Sequence, residues 1–125
     1  MCNPPWQLSK LHHVGLTVQD IERSIAFYRD TLGLTLVARR ETDADYLGVQ
    51  TGFPGVRLAA ASLRLSPESS QSLEIVQYLT QAGESIEAPT NRPGSSHVCL
   101  LVDDIEAAHR ALRDKVKFRS HPVAI

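Results

Sequence analysis

The sequence predicts an α+β protein built from paired βαβββ modules, the second of which is truncated. Two observations lead to this prediction. Residues 11–80 have the alternation and turn signals of four strands and one helix, and residues 97–114 repeat the beginning of that stretch. We expect an N-terminal arm over residues 1–10, a first module over 11–80, a linker over 81–95 and an incomplete second module over 96–125.

The first predicted strand, Leu11 to Val18, presents two different faces. Val14, Leu16 and Val18 share one face, which we expect to pack on the helix that follows. His12 also points to that side, where we expect it to be structural or exposed at an edge. The other face carries Leu11, His13, Gly15 and Thr17. His13 is therefore the first candidate for chemistry.

A helix is predicted over Ile21 to Thr31. Asp20 is a suitable N-cap, because its side chain can accept a hydrogen bond from a free backbone N–H of the first turn. Gly33 is placed to end the helix in a left-handed conformation. The apolar residues of the helix recur at helical spacing, which predicts one buried stripe.

Three further strands complete the first module. They are predicted at Leu34 to Arg40, Val56 to Leu65 and Gln71 to Leu79, with a short helical turn at Ala44 to Val49. The last two strands are joined by a short turn and should form an antiparallel hairpin. Glu74 lies at the centre of the last strand. A carboxylate inside a sheet is costly unless something pairs with it, so Glu74 is the second candidate.

The internal repeat places His13 over His97 at an offset of 84 residues (97 minus 13). Nine of the eighteen positions 13–30 are identical in the two copies, where chance gives about one. The repeat predicts a strand over Ser96 to Val102, a helix capped by Asp104, and a further strand over Lys117 to Ile125. A complete second copy would need two more strands. We favour a shortened chain, whose exposed sheet edge would favour a homodimer. Two alternatives stay open: a partner chain supplies the missing strands, or the chain is a remnant without activity.

Composition narrows the function classes. The net charge of −1 gives no field that attracts nucleic acid, and no apolar run is long enough to cross a membrane. The first ten residues lack the apolar stretch of a signal peptide, so we expect a cytoplasmic protein. Cys2 and Cys99 make no disulfide framework, and Cys99 is expected to be a small buried hydrophobic residue.

The two equivalent histidines and the glutamate form the predicted site. His13 and His97 occupy the same place in two copies, and Glu74 lies on a strand of the first copy. Two neutral imidazoles and one carboxylate suit a first-row divalent ion, and three protein ligands leave positions open for water or substrate. His109 and His121 are expected to be solvated. Three other residues are candidates for a substrate pocket: Thr17, Arg57 and Tyr78.

Three stretches, LHHVGLTVQDIERSIAFYRDTLGL, SLEIVQYL and PGSSHVCLLVDDIEAAHRAL, resemble the vicinal oxygen chelate superfamily. This superfamily includes glyoxalase I, methylmalonyl-CoA epimerase, extradiol dioxygenases, fosfomycin-resistance transferases and bleomycin-binding proteins. The resemblance covers about residues 11–115 and implies a glyoxalase-like fold, in which two βαβββ modules form a cup around a metal. Carried over, the metal ligands fall on His13, Glu74 and His97, and a fourth would fall near position 158, which this sequence does not contain.

The resemblance also implies an activity. It favours a lyase or isomerase of the glyoxalase I or epimerase type, which acts through an enediolate or enolate of a small carbonyl substrate. The implied cofactor is a divalent ion (Zn, Ni, Co, Mn or Fe), and Glu74 is the implied catalytic base. Two alternatives stay open: an Fe(II) extradiol-type dioxygenase, and a small-molecule binding protein of the bleomycin-resistance type.

Overall fold

A computed structural model describes residues 2–125. The chain divides into two compact units, one ending at Glu87 and the other running from Ala88 to Ile125. In residues 2–125, no helix has the length and apolar character needed to cross a membrane. The elements of the first unit are β1 (His13–Thr17), α1 (Ile21–Ala26, continued by a π-helical turn Phe27–Thr31), β2 (Thr35–Thr42), α2 (Asp45–Thr51), β3 (Leu58–Arg64) and β4 (Ser72–Tyr78).

The four strands of the first unit form one mixed sheet in the order β1–β4–β3–β2. β1 runs parallel to β4, whereas β4 pairs with β3 and β3 with β2 in antiparallel fashion. The predicted hairpin and the predicted helical turn are both present, the latter as α2. The register of β2 against β3 shifts between Leu36 and Ala38. This is the βαβββ arrangement that the sequence predicts for the first module.

The helix begins and ends where its sequence signals lie. Asp20 Oδ1 accepts from the Arg23 N–H at 3.0 Å, and Gly33 adopts a φ of +82°. The last turn widens into a π-helix, in which the Leu32 N–H donates to the Phe27 carbonyl at 3.0 Å. The Ile21 N–H donates a hydrogen bond to Gln77 Oε1 of β4 at 2.9 Å, which links the start of α1 to the sheet.

The main core lies between α1 and one face of the sheet. Ile21 and Ile25 of α1 pack there against strand residues that are fully or almost fully buried, among them Leu63 and Ile75 at 0% exposure. A second, smaller cluster lies on the other face, at the end where Leu47 of α2 packs with neighbouring apolar residues. α2 therefore covers one end of that face.

The second unit contains one regular element, α3 (Ile105–Leu112), in the part of the chain that the structure describes. Asp104 caps this helix as predicted, because its Oδ1 accepts from the Ala107 N–H at 2.9 Å. The strands predicted over residues 96–102 and 117–125 are wrong. A strand requires a neighbouring backbone for its hydrogen bonds, and neither segment pairs with another strand among residues 2–125.

Cys99 is a second correction in this unit. It was expected to be buried, but it is exposed. The apolar residues around it are also exposed, with Leu101 at 96%. Because residues 96–102 form no sheet, their alternating side chains have no core to face.

Candidate active site

The sheet face opposite α1 carries the two predicted ligands of the first unit, His13 and Glu74, and two serines. Cross-strand pairs place His13 next to Ser72, Gly15 next to Glu74, and Ser62 of β3 on the far side of Glu74. We call this surface the open face. α2 covers only its far end, so the part around Glu74 stays accessible from outside.

His13 and Glu74 are diagonal neighbours on the open face. They lie on adjacent strands. His13 pairs with Ser72, and Glu74 follows Ser72 by two residues, on the same face of the sheet. Strand spacing and rise place their Cα atoms roughly 8 Å apart. An imidazole and a carboxylate that leave the same face at this separation can both reach one small ion. His13 is exposed and Glu74 is half-buried.

Gly15 keeps the space beside Glu74 clear. It is the direct cross-strand partner of Glu74 and lies between His13 and Thr17 on the open face. A Cβ placed on Gly15 meets no atom within 4 Å, so a side chain at this position would enter open space rather than the protein. The absence of a side chain at Gly15 therefore leaves room for a ligand beside the two donor groups.

His12 orients the ring of His13. The Nδ1 atoms of the two imidazoles are 2.8 Å apart, so one ring donates and the other accepts, and the rings meet edge to face at 83°. This contact leaves Nε2 of His13 available. A histidine that binds a metal usually hydrogen-bonds through its other nitrogen, which fixes the ring orientation. The sequence showed His12 only as an exposed or structural residue, and the doubled histidine was the signal for this contact.

His97 lies in the second unit, within the irregular residues 96–102. Within each unit, the described residues contain no group of three or more His, Cys, Asp or Glu side chains placed to hold one ion. The structure thus places two predicted ligands on one face of the first unit. The complete three-ligand site, with His97 as the third member, stays a prediction.

The other predicted pocket residues are found in different places. Thr17 and Tyr78 line a cavity of about 870 Å³ at the ends of β1 and β4, closed on the other side by residues 82–86. Arg57 instead forms an ion pair with Glu41 at 2.8 Å.

His109 of α3 is half-buried rather than solvated. Its ring centroid lies 4.5 Å from that of Phe118 and 5.0 Å from that of His121. The expectation of a solvated side chain at this position is wrong because the residues after α3 fold back over this part of the helix.

Two arginines were not among the predicted site residues. Arg40 borders a small pocket on the open face together with Glu74. Arg64 lies on the same face at the end of β3, and its Nε is buried without a hydrogen-bond partner in the described chain. Simple alternation from the core residue Leu36 would put Arg40 on the α1 side. The register shift between Leu36 and Ala38 moves Arg40 to the open face, so the sequence alone gave no signal for it.

The comparisons with known proteins agree with this architecture. A sequence profile described as the Glyoxalase/Bleomycin resistance protein/Dioxygenase superfamily matches residues 10–123. The chain belongs to this superfamily. A crystal structure of a glyoxalase family protein from Bacillus cereus matches it with a TM-score of 0.79 at 23% identity, over 90% of this chain and 76% of that one. The predicted glyoxalase-like fold is confirmed.

Two curated relatives of this glyoxalase-superfamily chain are epimerases. Mitochondrial methylmalonyl-CoA epimerase of Mus musculus is 31% identical over 118 residues, which is 94% of this chain and 59% of that protein. The 2-epi-5-epi-valiolone epimerase of Actinomyces sp is 29% identical over 107 residues, which is 82% of this chain and 57% of that protein. The chain therefore spans less than two thirds of the length of these relatives.

Proposed function

We propose that the protein is a metal-dependent isomerase of the epimerase type, which removes and returns a proton next to the carbonyl of a small substrate. The observation that carries this proposal is the position of Glu74 on the open face, beside Gly15 and diagonal to His13. The names of the two epimerase relatives support the same reaction class.

His13, Glu74 and His97 are the residues that would hold the divalent ion. Imidazole nitrogen and carboxylate oxygen suit first-row divalent ions, and the clear space at Gly15 fits an ion with open positions. When bound, the ion supplies Lewis-acid stabilisation of the negative charge that collects on the carbonyl oxygen. His12 keeps the His13 ring in one orientation through the contact between their Nδ1 atoms.

Glu74 is the base. Its carboxylate takes the proton from the carbon next to the carbonyl, and the electron pair of the broken C–H bond moves to the carbonyl oxygen. For inversion, a water molecule at the open face gives a proton to the opposite side of the carbon, and Glu74 passes the proton that it took to solvent. Glu74 would be a ligand of the ion as well as the base, and its two carboxylate oxygens would allow both roles. A homodimer in the cytoplasm with a small-molecule substrate remains the expected setting.

The test is solvent exchange followed by proton NMR. The full chain, supplied with Co²⁺, is incubated in D₂O with methylmalonyl-CoA, and loss of the signal from the proton next to the thioester carbonyl is measured. A general base contributes about 10²- to 10⁴-fold, so Glu74→Gln should slow exchange by at least about a hundred-fold.

The matched control is Glu68→Gln, which makes the same change in the turn between β3 and β4 and should exchange like the unmodified chain. Equal exchange rates in the Glu74→Gln and Glu68→Gln chains would contradict the role of Glu74. No metal-dependent exchange in the unmodified chain would contradict the proposed reaction for this substrate.

A further inference from the structure

Two neighbouring arginines of β2 have different surroundings. Arg39 faces the α1 side, where its guanidinium donates to Glu22 at 2.8 Å and to Glu41 at 3.2 Å. These hydrogen bonds raise the pKa of Arg39, those to Glu22 most. Arg40 lies on the open face, and its side chain makes no hydrogen bond or ion pair with any residue between 2 and 125. The donors of Arg40 are therefore available to an anionic ligand.

The pocket beside Arg40 is small. Its volume is about 80 Å³, and its other walls are formed by Glu74 and the short side chains of Ala38, Ala60 and Ser62. This volume equals about three water molecules in the liquid. It fits one carboxylate or phosphate group, with the rest of a ligand lying over the open face.

Arg40 and Glu74 are placed at opposite sides of this pocket. β3 lies between them: its Ser62 pairs with Glu74, and its Ala60, two residues away on the same face, pairs with Arg40. Strand spacing and rise put the Cα atoms of Arg40 and Glu74 roughly 12 Å apart. A small molecule can therefore meet the guanidinium at one end and the carboxylate at the other.

We propose that Arg40 binds the anionic oxygens of the substrate, carboxylate or phosphate, beside the carbon from which Glu74 removes the proton. This inference rests on the proposed function and narrows its substrate class. The substrate is a small carbonyl compound that also has an oxyanion group close to the acidic carbon. A planar guanidinium can hold two oxygens of such a group at once. Arg64 adds a second positive charge to the same face.

Binding of two thioesters of N-acetylcysteamine tests this proposal. The methylmalonyl and isobutyryl thioesters have the same carbonyl and acidic carbon, and only the first has a carboxylate. Their dissociation constants for the full chain are measured by NMR titration. Arg40→Gln should weaken binding of the methylmalonyl thioester about ten- to a hundred-fold and leave the isobutyryl thioester within about two-fold. Arg40→Lys should lose less, because it keeps the charge but not the planar fork.

Arg39→Gln is the matched control, because it removes the same charge one residue away on the other face. It should leave both dissociation constants within about two-fold, and thermal unfolding verifies that each variant is folded. Competition with inorganic phosphate shows whether the pocket takes phosphate as well as carboxylate. Equal binding of the methylmalonyl thioester by the Arg40→Gln and Arg39→Gln chains, or equal loss of both thioesters on Arg40→Gln, would overturn the proposal. Binding does not require proton transfer, so this result is independent of the exchange assay.

Discussion

Each unit contains one copy of the eighteen-residue repeat, identical at nine positions, and the two copies form different structures. In the first unit it gives a strand and a helix that pack into a four-stranded sheet, with Ile75 fully buried. In the second unit it gives a capped helix of which no residue is buried. Helix hydrogen bonds are made within the segment, whereas a strand depends on a neighbouring backbone. The comparison shows that a capped helix can form from its own segment alone, whereas a strand cannot.

The largest expected difference between the units is in core packing. Ile75→Ala in the first unit should lower the free energy of unfolding by about 2–5 kcal/mol, because it removes a fully buried side chain and leaves a cavity. Leu101→Ala in the second unit should change it by less than about 0.5 kcal/mol, since this side chain is 96% exposed. Urea unfolding measures both. A large loss from Leu101→Ala would show that the second unit has a core of its own.

The helix caps should give a smaller difference in stability between the units. Asp20 and Asp104 can be compared directly, because they occupy equivalent positions in the repeat. Asp20→Ala should cost about 1 kcal/mol in global unfolding, since α1 is part of the main core. Asp104→Ala should increase hydrogen exchange at the amides of α3 without moving the unfolding midpoint of the first unit. Equal shifts of that midpoint by both variants would mean that α3 unfolds together with the sheet.

The smallest expected effect concerns the equivalent pairs Arg29–Asp30 and Arg113–Asp114. The hydrogen bond from Arg29 Nε, at 2.7 Å, lowers the pKa of Asp30 in the folded protein. This pair therefore stabilises the fold above the pKa of Asp30 in the unfolded chain, and the contribution is lost as the pH falls through the lower folded pKa.

The test compares acid unfolding of two variants. In the Asp30→Asn variant, the free energy of unfolding should fall slightly less on acidification below about pH 4 than in the unmodified chain. Asp114→Asn should change this pH dependence less, because the closest atoms of Arg113 and Asp114 are 4.0 Å apart, beyond hydrogen-bonding distance. A larger change from Asp114→Asn than from Asp30→Asn would contradict this difference between the two pairs.

The sequence predicted those parts of the fold and site that depend on local pattern. The strand and helix order of the first unit, the Asp20 cap and the left-handed Gly33 follow from alternation and capping, and they are present. The same alternation over residues 96–102 predicted a strand that is not present, because a strand also depends on a partner that the local pattern does not show. The sequence also placed His13 and Glu74 on strands, but only the register shows that they are diagonal neighbours. The contact of His12 with His13 depends on side-chain conformations that strand alternation does not predict.

We propose that the open face of the first unit holds a divalent ion through His13 and Glu74. Titration of the metal-stripped full chain with Co²⁺, followed by its visible absorption, tests this claim directly. We predict one ion per chain, at least about ten-fold weaker binding in His13→Ala and in Glu74→Gln, and unchanged binding in Glu68→Gln. His12→Ala should weaken binding about ten-fold, the lower end of the effect of removing a residue that orients a ligand. Unchanged Co²⁺ affinity in both His13→Ala and Glu74→Gln would contradict the claim.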